Sequence, residues 1–71
     1  MKTLGDLLYD LGMRFGFEMI ITATSYIVED FYELSPHDRQ YISNAVNDII
    51  CENNIDVEFK STKYDWILIL S

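Results

Sequence analysis

The sequence predicts one α+β domain in which two or three helices precede a C-terminal antiparallel β-hairpin. Apolar residues recur at helical spacing over 4–14 and again over 36–52. Acidic and apolar residues alternate over 55–59, as in a half-buried strand, and an uninterrupted apolar run follows at 66–70. With 71 residues the chain has the length of one small domain, so we treat 1–71 as a single unit.

The first helix is predicted over Leu4–Arg14. Thr3 and Asp6 resemble a capping box, with Asp in the place of the usual Glu. Gly16 is expected to end the helix, because glycine readily adopts the left-handed conformation found at helix C-termini. The apolar residues that would form its buried face are Leu4, Leu7, Leu8 and Leu11.

The segment 17–33 is compatible with two structures. Apolar residues from Phe17 onwards recur at helical spacing, which favours one long amphipathic helix and is our main prediction. The β-branched residues within 20–24 favour instead a strand at 17–24, followed by a second strand or a shorter helix. Both structures remain open at this stage.

Another helix is predicted over 36–52. Ser35 is a good N-cap, and Pro36 suits the first helical position because its missing N–H is not needed there. The pair Asn53-Asn54 is expected to end the helix, since Asn tolerates a left-handed cap. The predicted buried face consists of Ile42, Val46, Ile49 and Ile50.

Two strands complete the prediction, at 55–59 and 64–70, with a turn at 60–63 between them. A two-stranded sheet is marginally stable, and the second strand is apolar on both faces, so it needs cover. We expect either that 17–24 adds a third strand or that a second copy of the protein completes or covers the sheet. Because a chain of this size also has a small core, we expect a homodimer. The sequence shows no internal repeat.

The composition is strongly acidic. Twelve Asp and Glu residues against five Lys and Arg give a formal net charge of −7. This charge opposes binding to nucleic acid or to an anionic membrane, and it favours either ordinary solubility or a basic partner. The sequence has neither a signal-peptide layout nor an apolar run of the ~20 residues needed to span a membrane. We therefore expect a soluble, cytoplasmic protein.

No catalytic or cofactor-binding motif is present. The chain lacks a glycine-rich phosphate loop and the HExxH, CxxC and Gly-x-Ser-x-Gly patterns. His37 is predicted to be an exposed residue in the first turn of a helix, and Cys51 to be a buried small apolar residue. We expect no enzymatic activity, no metal and no cofactor.

The spacing of the carboxylates indicates a binding surface for a partner. Several acidic pairs stand three or four residues apart, and on a helix such like-charged pairs lie ~5–6 Å apart and are destabilising by ~0.2–0.5 kcal/mol. That separation is similar in scale to the ~3.4 Å axial charge spacing of one DNA strand, although an ordinary solvated face has the same pattern. Tyrosines beside these acids suit a protein contact, or are ordinary half-buried residues. The candidate partner-binding residues are Asp6, Asp10, Glu29, Asp30, Glu33, Asp48, Glu52, Tyr26 and Tyr32.

In size and in its spaced, poorly neutralised carboxylates, the chain resembles the small acidic host-takeover proteins of phages, some of which are DNA mimics. It looks most like the type that inhibits the bacterial histone-like protein HU by occupying its DNA-binding surface. The resemblance implies a dimer that acts in the host bacterial cytoplasm, meets a basic, HU-like target and binds no nucleic acid itself. The alternative is an inhibitor or adaptor that binds a non-basic target, such as a polymerase, a nuclease or a defence complex, through a tyrosine-rich surface.

Overall fold

Two helices lie against one face of a four-stranded antiparallel sheet. The computed structural model describes residues 3–71. The strands follow the order β1-β2-β4-β3 across the sheet, and every neighbouring pair is antiparallel. Along the chain the elements are α1 (Leu4–Phe15), β1 (Met19–Ile21), β2 (Ser25–Val28), a 3₁₀ helix (Phe31–Glu33), α2 (Pro36–Asn53), β3 (Val57–Ser61) and β4 (Trp66–Leu70).

The core lies between the helices and the sheet. Val28 and Leu68, from the two central strands, are fully buried and point to the same face of the sheet. Phe31 stacks on Trp66 with ring centroids 4.8 Å apart, which closes one end of this layer. Each helix contributes three buried side chains at helical spacing: Leu4, Leu8 and Leu11 from α1, and Ile42, Val46 and Ile49 from α2.

Both terminal caps of α1 are as predicted. The Asp6 N–H donates to Thr3 Oγ1 at 3.1 Å, and the Thr3 N–H donates to Asp6 Oδ2 at 3.3 Å. Gly16 adopts φ 79°, and its N–H donates to the carbonyl of Gly12. The predictions for α2 are also confirmed: Ser35 caps it and Pro36 opens it. Its C-cap is Asn54, which has φ 52°.

The main prediction for 17–33, a single helix, is wrong, and the strand alternative is correct. Gly16 turns the chain out of α1, and β2 then pairs with β4 along its whole length. The apolar residues of this segment are buried for another reason than a common helix face. Phe17, Val28 and Phe31 lie before β1, in β2 and in the 3₁₀ helix, and all three pack in one core. Tertiary pairing thus decides the structure of a segment whose local pattern is ambiguous.

Two further expectations are wrong, namely that Cys51 is buried and that β4 is covered on both faces. Cys51 is exposed on α2 and is not a buried apolar residue. The strands that the predicted hairpin needs as neighbours come from the same chain, because β1 and β2 extend the sheet to four strands. Within residues 3–71 no element covers the outer face of the sheet, where Ile27 and Ile67 lie side by side. The expectation that β4 is covered on both faces is therefore met on one face only.

A helix followed by a hairpin occurs twice, so the structure contains an internal repeat that the sequence does not reveal. Gly16 and Asn54 are the left-handed caps of the two helices. They are separated by the same number of residues as Leu8 and Val46, which are buried in α1 and α2. The hairpins are closed in the same way. Thr22 donates its N–H to the carbonyl of Ser25, and Thr62 to that of Asp65, both at 2.9 Å. Each threonine Oγ1 also accepts two backbone N–H groups of its turn.

Candidate acidic binding site

Four carboxylates line one hollow on the surface. The hollow has a volume of about 340 Å³ and lies where the end of α1, the start of β1, the end of β2 and the 3₁₀ helix meet. We call it the acidic hollow. Its lining residues are Gly16, Phe17, Glu18, Glu29, Asp30, Glu33 and Leu34.

Backbone hydrogen bonds hold these carboxylates together. The Glu29 N–H donates to the carbonyl of Glu18 at 3.0 Å, which extends the β1–β2 ladder and sets these two side chains opposite each other. Asp30 follows in the left-handed conformation, at φ 55°, and its N–H donates to Asp65 Oδ1 at 3.0 Å. The Glu33 N–H donates to the Asp30 carbonyl at 3.0 Å. The backbone that carries the four carboxylates is therefore held by hydrogen bonds between Glu29 and Glu18, to the Asp65 side chain and within the 3₁₀ helix.

The acidic hollow concentrates negative charge without a cation of its own. Like charges directly opposite on neighbouring strands are destabilising, which applies to Glu18 and Glu29. In the described part of the chain, no lysine or arginine forms an ion pair with Glu18, Glu29 or Glu33. Arg39 lies with its guanidinium carbon 5.8 Å from the Tyr32 ring centroid instead. Such a hollow can accept the ammonium or guanidinium group of a partner.

Three of the predicted acidic residues, Glu29, Asp30 and Glu33, thus come together. Their convergence does not arise from helical spacing, because the segment is not an α-helix. Glu18 was missed as a site residue, as was Asp65, which lies behind Asp30. The sequence signal that could have identified Glu18 is its position two residues after the expected helix end at Gly16, within the strand predicted as the alternative at 17–24.

The other predicted carboxylates lie on the helices, outside the acidic hollow. Asp6 caps the start of α1, and Asp10 lines a separate groove between the helices. In that groove Arg14 Nη1 donates to the Tyr41 hydroxyl at 2.9 Å. Asp48 and Glu52 are exposed one turn apart on α2. Of the seven predicted acidic residues, three therefore cluster in the acidic hollow, and the other four lie on the helices.

The two predicted tyrosines have different environments. Tyr26 is half-buried on the helix side of the sheet, and its hydroxyl approaches Gly5 so closely that an added Cβ there would lie 3.1 Å from it. It belongs to the periphery of the core. Tyr32 is 38% exposed and packs edge-on against Phe31, with ring centroids 5.2 Å apart. Of the two, Tyr32 is the exposed one, and it lines a separate hollow with Pro36 and Arg39, not the acidic hollow.

The remaining candidate features give no second site. Over residues 3–71, no three His, Cys, Asp or Glu side chains are arranged to hold a metal ion. His37 is exposed in the first turn of α2. In the same part of the chain, neither helix combines the length and the apolar character needed to cross a membrane.

Comparison with protein-family models, with curated proteins and with solved structures gives no match to this chain.

Proposed function

We propose that this protein is an acidic DNA-mimicking inhibitor, which binds the basic DNA-binding surface of a nucleic-acid-binding protein. A bacterial nucleoid-associated protein of the HU type is the target we favour, in the bacterial cytoplasm. The observation that carries the proposal is the acidic hollow, in which Glu18, Glu29, Asp30 and Glu33 line one concave site. A DNA-binding surface is rich in lysine and arginine, and those side chains match such a site.

The retention of unneutralised carboxylates supports a binding role. Glu18 and Glu29 face each other across two strands, where a single lysine would convert repulsion into attraction. The chain has only five lysines and arginines. Two of them, Arg14 and Arg39, lie against tyrosine rings at 5.8 Å from the ring centroids. A basic partner would relieve the repulsion, so that association gains from the same charges that oppose folding.

The electrostatic character of the protein also favours rapid association. With a net charge of −7, the molecule attracts a basic protein over distances up to the Debye length, ~10 Å at 0.1 M salt. Affinity for the target should therefore fall steeply as salt is added. Duplex DNA should compete, because both ligands occupy the same basic surface.

The test is displacement of labelled duplex DNA from a purified HU-like protein. The double variant Glu29→Gln/Glu33→Gln removes two charges from the acidic hollow. The matched control Asp48→Asn/Glu52→Asn removes two exposed charges from α2. At ~0.5–1 kcal/mol per charge pair, the first variant should lose roughly 10-fold in apparent affinity, and the control much less. Equal losses would mean that binding follows net charge alone, and no displacement by the unmodified protein would refute the proposal.

The competing function, binding of a non-basic target through tyrosines, has one supporting observation, the exposure of Tyr32. It predicts a complex that survives high salt and is lost in Tyr32→Ala. A pulldown from bacterial lysate, washed at low and then high salt, separates the two functions. A salt-released basic protein supports DNA mimicry, whereas a salt-resistant partner supports the tyrosine surface.

A further inference from the structure

The two edges of the sheet differ in their protection against pairing with another strand. Natural edge strands usually carry charged residues, proline or a bulge that discourages such pairing. The edge strand β3 includes Glu58 and Lys60, whereas the edge strand β1 consists of Met19, Ile20 and Ile21 alone. β1 thus carries no charge, proline or bulge within the strand, and its protection is limited to its length of three residues and to Glu18 directly before it.

The register of the β1–β2 hairpin defines which backbone groups of β1 are free to pair. Hydrogen bonds link Glu29 to Glu18 and Thr22 to Ser25, at the two ends of the ladder. Antiparallel pairs alternate between hydrogen-bonded and non-hydrogen-bonded, so the backbone of Ile20 faces β2. The N–H and C=O groups of Met19 and Ile21 consequently point outwards, away from the sheet.

Exposed apolar side chains cluster at the same edge. Tyr9 is 64% exposed, Met13 74%, Ile20 44% and Ile21 64%. Tyr9 and Met13 of α1 line a hollow of about 400 Å³ together with Met19 and Ile21 of β1. The exposed apolar side chains of α1 thus lie beside the outward backbone groups of β1, in a hollow that Glu18 also lines.

We propose that β1 pairs antiparallel with β1 of a second copy, about a two-fold axis at Ile20. In this register Met19 lies opposite the partner's Ile21, and the outward N–H and C=O groups are all used, in four hydrogen bonds. Glu18 lies opposite the partner's Thr22, so no carboxylate directly faces another across the new pair. The two sheets become one eight-stranded sheet, and the two α1 helices meet through Tyr9 and Met13.

The buried area favours a second copy as the occupant, because the two-fold register brings the same four exposed side chains of both copies to the seam. Complete burial of the exposed parts of these four side chains would remove roughly 450 Å² of surface per copy, or about 900 Å² in total, slightly below the ~1,000 Å² of a specific interface and in the range of a weak dimer. The charge of −7 per copy opposes this association, and salt screens it. Added salt should therefore strengthen the dimer, whereas it weakens binding to a basic target. This dimer does not depend on the acidic hollow being a binding site.

The first experiment is sedimentation equilibrium at 50 mM and 500 mM salt, combined with amide hydrogen exchange at low and high protein concentration. We expect a monomer–dimer equilibrium that shifts several-fold towards the dimer at the higher salt. The amides of Met19 and Ile21 should gain protection as the concentration rises. A monomer at every concentration up to ~1 mM and at both salt levels would overturn the proposal. So would a dimer in which these two amides stay unprotected, since it would use another surface, such as the outer face of the sheet.

A pair of variants at one position tests the backbone contact itself. Ile21→Pro removes an outward N–H that the monomer does not use, and proline is tolerated at such edge positions. Ile21→Val keeps the N–H and the β-branched side chain. We expect Ile21→Pro to be monomeric with an unchanged circular dichroism spectrum, and Ile21→Val to dimerise. If Ile21→Pro is folded and dimerises as strongly as Ile21→Val, the proposal is wrong. If Ile21→Pro does not fold, the amide exchange protection of Met19 and Ile21 in the unmodified protein decides whether β1 forms the dimer contact. Protection that appears only when a target protein is added would identify the target as the occupant and also overturn the proposal.

Discussion

Replacement of Glu29 by glutamine should stabilise the fold. Glu29 is half-buried at the end of β2, faces Glu18 across the ladder and shares the acidic hollow with Asp30 and Glu33. A like-charged pair directly opposite on neighbouring strands is unfavourable, within the ~0.2–1 kcal/mol range of cross-strand pairs. Because the site is partly solvated, we take ~0.5 kcal/mol as the gain for Glu29→Gln at low salt.

This gain is measurable in a chain of this size. An unfolding entropy of ~2.1 cal/mol/K per residue converts ~0.5 kcal/mol into a Tm increase of about 3 °C for 71 residues. Thermal unfolding followed by circular dichroism at 20 mM salt would detect it. At 1 M salt, where the Debye length is ~3 Å, the gain should nearly vanish.

Asp56→Asn is the control, because it removes the same charge from an exposed residue that is not part of the acidic hollow. Its effect on Tm should be clearly smaller than that of Glu29→Gln. An unchanged or lowered Tm for Glu29→Gln at low salt would refute the idea that the carboxylates of the hollow repel one another. A higher Tm combined with weaker target binding would show that these charges are kept for binding, at the cost of stability.

Three other substitutions test the fold. Thr62→Ala removes the Oγ1 that accepts the N–H groups of Tyr64 and Asp65, and unfolding in urea should show a loss of ~1 kcal/mol, with Thr62→Ser retaining most of the stability. Gly16→Ala has open space around its Cβ but must adopt φ 79°, so we expect a loss of ~1–2 kcal/mol from backbone strain alone; no loss would contradict the left-handed cap. Leu68→Ala empties a fully buried central position, and its loss of ~2–5 kcal/mol should leave the domain largely unfolded at 25 °C; a stable variant would mean that the core closes around the gap.

The helices could be predicted because their signals are local. Thr3 and Ser35 are N-caps, and Gly16 and Asn54 are left-handed C-caps, so each helix is delimited by residues within one turn of its ends. The β1–β2 hairpin was harder, because its apolar residues also recur at helical spacing and its turn, like that of the β3–β4 hairpin, contains no glycine or proline. Thr22 closes that turn by accepting backbone N–H groups, a weaker sequence signal than Asn-Gly.

The acidic hollow was only partly predictable, for a similar reason. Glu29, Asp30 and Glu33 are close in sequence and could be recognised as a group. Glu18 joins them only through the pairing of β1 with β2, and Asp65, which is outside the lining, supports Asp30 by accepting its N–H from 35 residues away. Neither contact can be predicted from the local spacing of apolar residues. Spacing alone therefore indicates that carboxylates are clustered but not which of them share a surface.

The repeated helix–hairpin arrangement has a consequence for how the chain could be divided. Within each half the strand pairs are local, β1 with β2 and β3 with β4, and β2–β4 is the sheet pairing that joins the halves. A cut between Leu34 and Ser35, just before α2, would give two fragments that each keep one helix and one hairpin. Neither fragment could bury its apolar face alone, so each should remain unfolded until the other is added. The protein would then serve as a split pair, whose reassembly restores the Ile27–Ile67 contact at the centre of the sheet.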